Sequence, residues 1–163
     1  MRFFGLKGAV MPITLLVAMF LVVCIASPTA FAAKAGKVRV GTPDWLGPGV
    51  DGAFSLIAQI DASGNVSGEW QDSFTMDPGL HMRVTCLTIV GNTAWIGGVV
   101  TVSSDPSFVG RPVETKVVDG GLPNGGGDSI TFTFIFPAGS THTCAAQEPY
   151  IQFPAFQGNV DIK

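Results

Sequence analysis

The chain has 163 residues, of which only 13% are charged, and its twelve acidic and nine basic residues leave a net charge of −3. Because the basic residues form no cluster, the sequence lacks the positive footprint that nucleic acids and anionic lipid surfaces require. Gly, Thr, Val, Ser and Phe are frequent, and no window of a dozen residues repeats apolar positions with the period of a helix. The composition therefore predicts an all-β protein that binds neither nucleic acid nor a membrane surface.

The chain begins with the three-part pattern of a secretory signal peptide. Arg2 and Lys7 give a positive start, and an uncharged apolar run over residues 9–26 follows. The run approaches the length of a membrane anchor. Prolines at both ends of this segment, and an Ala-Phe-Ala sequence that suits signal peptidase, favour cleavage. We predict cleavage after Ala32, with Ala33 as the alternative.

Cleavage would leave a single all-β domain over residues 33–163, separate from the signal peptide over residues 1–32. These 131 residues suffice for one hydrophobic core. Two of the nine basic residues and none of the twelve acidic ones would be lost, so the net charge becomes −5. Cys24 would leave with the signal, because the Val23 before it does not fit a lipoprotein cleavage site. We expect a soluble, exported protein.

Short segments with apolar residues at every second position recur along this domain, as expected for strands joined in hairpins. About eight strands are predicted, mostly antiparallel, near residues 37–40, 53–61, 65–74, 81–90, 93–102, 112–118, 129–137 and 159–163. Such a series avoids exposed edges by closing into a small barrel or by folding into two packed sheets.

The segment 81–102 reads as a hairpin around a Gly91-Asn92 turn. In its first strand, Cys86 shares a face with Met82 and Val84, which predicts that it points inward. In its second strand, one face carries Ile96, Val100 and Val102, the other face is also apolar, and Gly97-Gly98 would suit a bulge or a sharp bend. This hairpin is expected to lie centrally in the fold, covered on both faces.

Two further strands carry informative side chains. In the third strand, Asp72 falls on the same apolar face as Trp70 and Phe74, and a strand end or a bulge there is the preferred interpretation. In the seventh strand, Ile130 should form a continuous apolar face with the three phenylalanines at every second position that follows it, Phe132, Phe134 and Phe136. These rings, together with Trp45, Trp70 and Trp95, are expected mainly in the core.

Cys86 and Cys144 are the cysteines that remain after cleavage, and an even pair in an exported protein predicts a disulfide. Closing so long a loop would add about 4 kcal/mol in the chain-entropy account. A catalytic thiol with His81 or His142 as base would need an electropositive site that the sequence does not supply. A zinc site formed by the same four residues has unsuitable spacing, and export favours oxidised sulfur.

The carboxylates offer two alternatives. Asp119 and Asp128 flank a Gly-rich connection and could hold Ca²⁺, although solvated loop ends are the simpler interpretation. Asp72 with Glu69 or Glu114 could form a glycoside-hydrolase pair if they converged in one cleft. Neither alternative rests on a complete motif. The sequence therefore predicts no catalytic residues, no metal site and no cofactor.

The order of several segments gives the chain a likeness to a known group. These segments are GNVSGEWQ, HMRVTCLTIVGNTAWIGGVVTVSSDPSFVG, VVDGG, GDSITFTF, a later Cys and a terminal GNVDIK. The chain resembles short secreted bacterial β-rich proteins of mostly unassigned function, which are akin to the β modules found downstream of choice-of-anchor domains. The resemblance covers about residues 50–163 and implies an extracytoplasmic all-β module with no catalytic residues to transfer.

These observations favour a secreted, non-enzymatic β domain that acts as an extracellular or cell-surface interaction or structural module. Its partner could be a protein, a glycan or a small apolar ligand. The alternative is a small β-barrel that carries an apolar ligand inside, which eight strands would allow. A carrier should enclose a sizeable apolar pocket, whereas an interaction module should have a filled core.

Overall fold

The computed structural model describes residues 35–42, 53–73, 79–122, 126–141, 144–155 and 158–163. All of them belong to one unit of the chain, Ala32–Lys163. The predicted signal peptide with its cleavage positions Ala32 and Ala33 lies outside the described residues, as do Trp45, Phe74 and His142.

The described residues form ten strands in a single antiparallel sheet that curls into a half-barrel. The strands are β1 (Gly36–Thr42), β2 (Phe54–Ile60), β3 (Val66–Asp72), β4 (Leu80–Val90), β5 (Thr93–Ser103), β6 (Pro112–Val118), β7 (Ser129–Ile130), β8 (Phe134–Ile135), β9 (Phe153–Pro154) and β10 (Asn159–Ile162). Their order is β10-β1-β2-β3-β4-β5-β6-β7-β9, with β8 paired to β6. The all-β prediction is confirmed, in the form of one curled sheet.

The inner face of the sheet is filled with side chains. The largest fully buried apolar ones are Phe54, Leu56, Trp70, Met82 and Ile96, each less than 2% exposed or at that limit. Strands β1, β2 and β3 alternate buried and exposed residues, because one face packs on this core and the other faces water. Trp70 and Trp95 are both buried, as expected.

A bulge in β4 overturns the predicted direction of Cys86. Val84 pairs with Gly98 but Cys86 pairs with Gly97, so one extra residue, Thr85, is inserted in β4. An extra residue reverses the alternation, and Cys86 therefore lies on the opposite face from Val84. There it bonds to Cys144 with an S–S distance of 2.05 Å, which confirms the predicted disulfide.

The predicted seventh strand is two short strands, β7 and β8. Ile130 pairs with Val117, whereas Ile135 pairs with Val113, so the chain gains one residue relative to β6 between the two strands. At this point the buried Thr131 accepts a hydrogen bond from the Lys116 backbone through its side chain, at 2.9 Å. The extra residue reverses the alternation, and the predicted phenylalanine face is interrupted.

The phenylalanines of this segment consequently pack on different sides of the sheet, one against the core and another against the segment around Tyr150. Phe132 packs against the core and contacts Phe153 edge to face, with ring centroids 4.7 Å apart. Phe134 stacks on Tyr150 instead, with centroids 4.4 Å apart. The strand β9, which contains Phe153, was not predicted and pairs with β7 over two residues.

Two carboxylates join the β6–β7 connection to the outer edge of β10. Asp128, 4% exposed, accepts hydrogen bonds from the backbone amides of Gly120 at 2.8 Å and Val160 at 2.5 Å. Asp119 accepts from the amide of Ile162 at 3.1 Å. β10 lies at one edge of the sheet, and these two side chains attach it to the connection between β6 and β7, near the opposite edge.

Candidate functional site

Among the strands that the structure describes, β10, β1, β2, β3 and β4 present a solvent-facing side with ordered rows of exposed side chains, and we call it the open face. Direct cross-strand pairing arranges its side chains in rows. The charged row is Asp161, Arg39, Ile57, Glu69 and Arg83. The polar row is Asn159, Gly41, Ser55, Gln71 and His81, with Val102 of β5 at its end.

Val102 reaches this face through a second bulge. Met82 pairs with Val100 and His81 with Val102, which leaves Thr101 as the extra residue. Val102 is therefore 48% exposed beside His81, and not on the face of Val100 as the sequence had predicted. Thr101 donates a hydrogen bond to the His81 carbonyl at 3.0 Å.

Two shallow depressions flank Ile57 on the open face. The larger, of about 720 Å³, runs over β2 to β5 and is lined by both rows. The smaller, of about 470 Å³, lies over β10, β1 and β2. Ile57 lines both depressions and is 48% exposed, so an aliphatic side chain stands between two grooves with polar and charged walls.

The charges of the open face are directed to solvent. Within the described ranges, the side chains of Arg39, Glu69 and Arg83 form neither an ion pair nor a hydrogen bond. Asp161 contacts Lys163, with 2.8 Å between Oδ2 and Nζ. Although Glu69 and Arg83 are direct cross-strand neighbours, they do not pair with each other. Their charges remain available to a molecule that approaches this face.

Gly68 is one of the residues that line the larger depression, and its backbone conformation would be strained by a side chain. Its φ is +149°, in the middle of β3. A Cβ at this position would lie 2.1 Å from the carbonyl oxygen of Ile57. The close approach of β2 and β3 directly beneath Ile57 therefore depends on glycine.

A second cluster covers the outer face of β5 and β6 under the segment Cys144–Tyr150, which we call the strap. The disulfide anchors one end of the strap, and the indole Nε1 of Trp95 donates to the Glu148 carbonyl at 3.0 Å. The ammonium of Lys116 lies 5.3 Å from the centre of a Trp95 ring. The strap explains why β5 is covered on both faces, as the sequence predicted.

Beneath the strap, the hydroxyl of Tyr150 donates to Oε2 of the buried Glu114 at 3.1 Å. Burial raises the pKa of the Tyr150 hydroxyl well above its usual value, and the negative charge of Glu114 raises it further. The phenol therefore stays protonated and remains a donor to the carboxyl group. This arrangement is a packed, hydrogen-bonded layer that holds the strap.

The three carboxylates of the predicted hydrolase alternative do not meet. Asp72 faces the core, as its position in β3 predicted, and accepts from the hydroxyl of Thr133 at 2.7 Å. Glu69 lies on the opposite, exposed face of the same strand. Glu114 lies on β6 and points towards the strap, where it accepts from Tyr150, so it lies on the opposite side of the sheet from Asp72.

The residues considered for metal binding also have other roles. Asp119 and Asp128 accept backbone amides, and Asp128 is buried, so the interpretation as solvated loop ends was wrong for Asp128. Cys86 and Cys144 are oxidised, which removes two ligands of the zinc alternative and the nucleophile of the thiol alternative. Across the described segments, no group of three or more His, Cys, Asp or Glu side chains could hold a metal.

Comparisons with protein-family models, with curated proteins and with solved structures return no match for this chain. Among the residues that the structure describes, no helix has the length and hydropathy needed to span a membrane. The open face was not found by reading the sequence, because its rows depend on how strands pair. In the sequence, the open face is indicated only by the exposed residues that alternate with buried ones along β2 and β3.

Proposed function

We propose that the protein is an exported, non-enzymatic interaction module, and that it binds its partner through the open face. The observation that carries this proposal is the pair of rows on five adjacent strands, with half-exposed Ile57 between two grooves. Aliphatic groups beside unpaired charges and amide or imidazole groups are the mixture found in polar interfaces between proteins.

The scaffold beneath the open face supports a binding role. A filled core and a disulfide give the face a rigid base, which lowers the entropy lost when a partner binds. The disulfide also supports an oxidising, extracytoplasmic location, because such bonds persist there and are rare in reducing compartments. The dispersed carboxylates give no support to hydrolysis.

Site-specific photocrosslinking in the protein's own host tests this proposal. A photoreactive phenylalanine analogue is placed at position 57, and the crosslinked peptides are identified by mass spectrometry. We expect an adduct to one macromolecule at position 57, because this position is half-exposed at the centre of the open face. Position 109, where Val109 is equally 48% exposed outside this face, is the matched control.

The proposal is contradicted if position 57 gives no adduct, or the same adducts as position 109. Circular dichroism of both substituted proteins checks that they are folded. Both positions are on the surface, so a foreign side chain there should change the free energy of unfolding by no more than about 0.5 kcal/mol.

The carrier alternative keeps one specific observation in its favour. The indole Nε1 of Trp70 is buried on the inner face and has no hydrogen-bond partner among the described residues. An acceptor atom of an interior ligand could satisfy it. Against this, the inner face is already occupied by large apolar side chains. Native mass spectrometry of the protein purified from its host distinguishes a carrier from an interaction module. A carrier should retain a small apolar molecule that dissociates on unfolding.

A further inference from the structure

The signs of the charges in the charged row follow a particular order across the open face. From β10 to β4 the row reads Asp161, Arg39, Ile57, Glu69 and Arg83, that is negative, positive, neutral, negative and positive. Read backwards, the order is positive, negative, neutral, positive and negative. Each charge therefore meets its opposite when the row is laid against a reversed copy of itself.

A two-fold axis parallel to the strands and passing over Ile57 produces this reversed copy. It places β1 over β3 of the second chain, β10 over β4 of the second chain, and β2 over the equivalent β2. Arg39 then faces the second copy's Glu69, and Asp161 faces its Arg83, with each pair formed twice by symmetry. We infer that the partner of the open face is a second copy of this chain, in a symmetric dimer centred on Ile57. This inference rests on the proposed function, since it names the partner of the same face.

The polar row fits the same axis. Gly41 would lie opposite Gln71 of the second copy, and space is available there because a Cβ on Gly41 would meet nothing within 4 Å. Ser55 would face its own equivalent, and Asn159 would face His81, which allows hydrogen bonds between these side chains. The long side chain of Gln71 thus meets the smallest residue of the row.

The charges also select this axis over the other face-to-face arrangement. A two-fold axis running along the rows would place Arg39 on Arg39 and Glu69 on Glu69, and like charges brought together oppose association. The charged row is neutral in sum, so the dimer juxtaposes no excess charge of one sign. Within the described residues, Arg39, Glu69 and Arg83 have no ion-pair partner in their own chain that would compete.

The size of the face predicts a weak dimer. The open face is the outer, convex side of the curled sheet. Its five strands span about 19 Å along that curve, and a seven-residue strand is about 23 Å long, so each chain offers a footprint of at most roughly 400 Å². Stable complexes bury about 800 Å² from each partner. We therefore expect a reversible dimer that is largely dissociated below about 10 μM and that weakens when salt screens the ion pairs.

Sedimentation equilibrium of the protein purified from its host, from about 10 μM to about 1 mM, measures this self-association. The weight-average mass should rise with concentration towards twice that of one chain at low salt. At about 0.5 M salt the association should weaken by roughly tenfold or more, because most of the attraction is between exposed charges. A mass that stays at one chain throughout this range overturns the inference.

Two charge reversals give the decisive test. Arg39→Glu brings a carboxylate against the second copy's Glu69, and Glu69→Arg brings a guanidinium against the second copy's Arg39. Each variant alone should therefore self-associate at least about tenfold more weakly than the wild type. Mixed in equal amounts, the two variants should form a heterodimer, because both opposing pairs are then of opposite sign. Misfolding of either variant, checked by circular dichroism, could not produce this recovery.

Ile57→Lys should also abolish dimerisation, because it places two ammonium groups at the axis, whereas the equally exposed Val109→Lys should not. The inference is wrong if mixing Arg39→Glu with Glu69→Arg gives no heterodimer. Its failure would leave the proposed function standing if position 57 still crosslinks to another macromolecule in the host. Failure of both the crosslink and the heterodimer would remove both.

Discussion

Gly68 and Gly41 are two glycines of the same part of the sheet that differ in what their surroundings allow. Gly68 has φ +149° and no room for a Cβ, whereas Gly41 has open space around the position of a Cβ. A positive φ strains any residue with a side chain, at a cost of about 1–3 kcal/mol. The close approach of β2 and β3 under the open face therefore depends on the glycine at position 68.

Gly68→Ala should therefore lower the free energy of unfolding by at least about 2 kcal/mol, through strain and through the clash with the Ile57 carbonyl. Gly41→Ala is the matched control and should stay within about 0.5 kcal/mol of the wild type. Urea unfolding followed by tryptophan fluorescence measures both. If the two substitutions lowered the free energy of unfolding equally, the backbone of β3 at Gly68 would not require glycine.

Tyr150 offers a second measurement at the residue scale, because it is the chain's single tyrosine. Its pKa is raised above 10 in the folded protein by burial and by Glu114. Ultraviolet titration should therefore show no tyrosinate near pH 10 in the folded protein, and an ordinary transition in concentrated urea.

The sign of the accompanying stability change follows from linkage. Above about pH 10 the unfolded chain loses the phenolic proton while the folded chain keeps it, so the stability that this proton contributes falls as pH rises. Below pH 10 this contribution is fully present. Tyr150→Phe should reduce the loss of stability between neutral pH and pH 11, measured by urea unfolding. An unchanged loss in that variant would mean that Tyr150 does not titrate as inferred.

At the scale of elements, Gly97 connects β5 to the disulfide. A Cβ at Gly97 would lie 2.5 Å from Sγ of Cys86 and 3.1 Å from Sγ of Cys144. The disulfide therefore passes directly over β5, where only glycine leaves room for it. The central hairpin and the strap therefore pack against each other at Gly97 as well as being joined by the disulfide.

Gly97→Ala should cost about 2 kcal/mol in the wild-type background, because it overpacks the space beneath the sulfurs. In a Cys86→Ala/Cys144→Ala background the same substitution should cost at least about 1 kcal/mol less, since the sulfurs are gone. Urea unfolding of the four proteins gives this coupling. If the cysteine-free background does not fold, the disulfide of Gly97→Ala should instead open at lower dithiothreitol concentrations than that of the wild type.

How far the sequence predicts these elements depends on whether the alternation of side chains is continuous. The alternating faces of β1, β2 and β3, including the position of Asp72 on the apolar face, follow directly from unbroken alternation. Cys86 and Val102 were placed on the wrong faces because the bulges at Thr85 and Thr101 each add one residue without a distinctive sequence. A reversal of this kind becomes visible only when the partner strand is known.

The candidate site was less predictable than the strands for the same reason. Arg39, Ile57, Glu69 and Arg83 are individually recognisable as exposed positions, but their adjacency is set by pairing over four strands. The two-residue strand β9 carries too little alternation to be detected. The roles of Asp119 and Asp128 depend on the return of β10 to the sheet, which no local pattern encodes.

At the scale of the whole molecule, the link between Asp128 and β10 fixes where the chain ends. Asp128→Ala would leave the buried amide of Val160 without its acceptor, at about 1–3 kcal/mol, whereas water can replace the carboxylate at the exposed Gly120. Amide hydrogen exchange should accelerate at Val160 first, since its backbone N–H loses the Asp128 acceptor while Ile162 keeps Asp119.

Asp61→Ala is the matched control for this substitution. Asp61 also accepts two backbone amides, from Ser63 at 2.8 Å and Asn65 at 2.9 Å, but in an exposed turn where water can replace them. It should cost less than about 1 kcal/mol and leave exchange at Val160 unchanged. Similar exchange rates at Val160 in both variants would show that Asp128 does not hold β10.

The bonds from Asp119 and Asp128 have a consequence beyond the stability of one molecule. A strand with unsatisfied outward amides can template the addition of another chain, and repetition of that step produces fibrils. In β10 the outward amides of Val160 and Ile162 are already satisfied by carboxylates. These carboxylates also place negative charge where an incoming strand would present its carbonyl oxygens. The same two aspartates that hold the last strand in place thus protect the protein against aggregation at high local concentration.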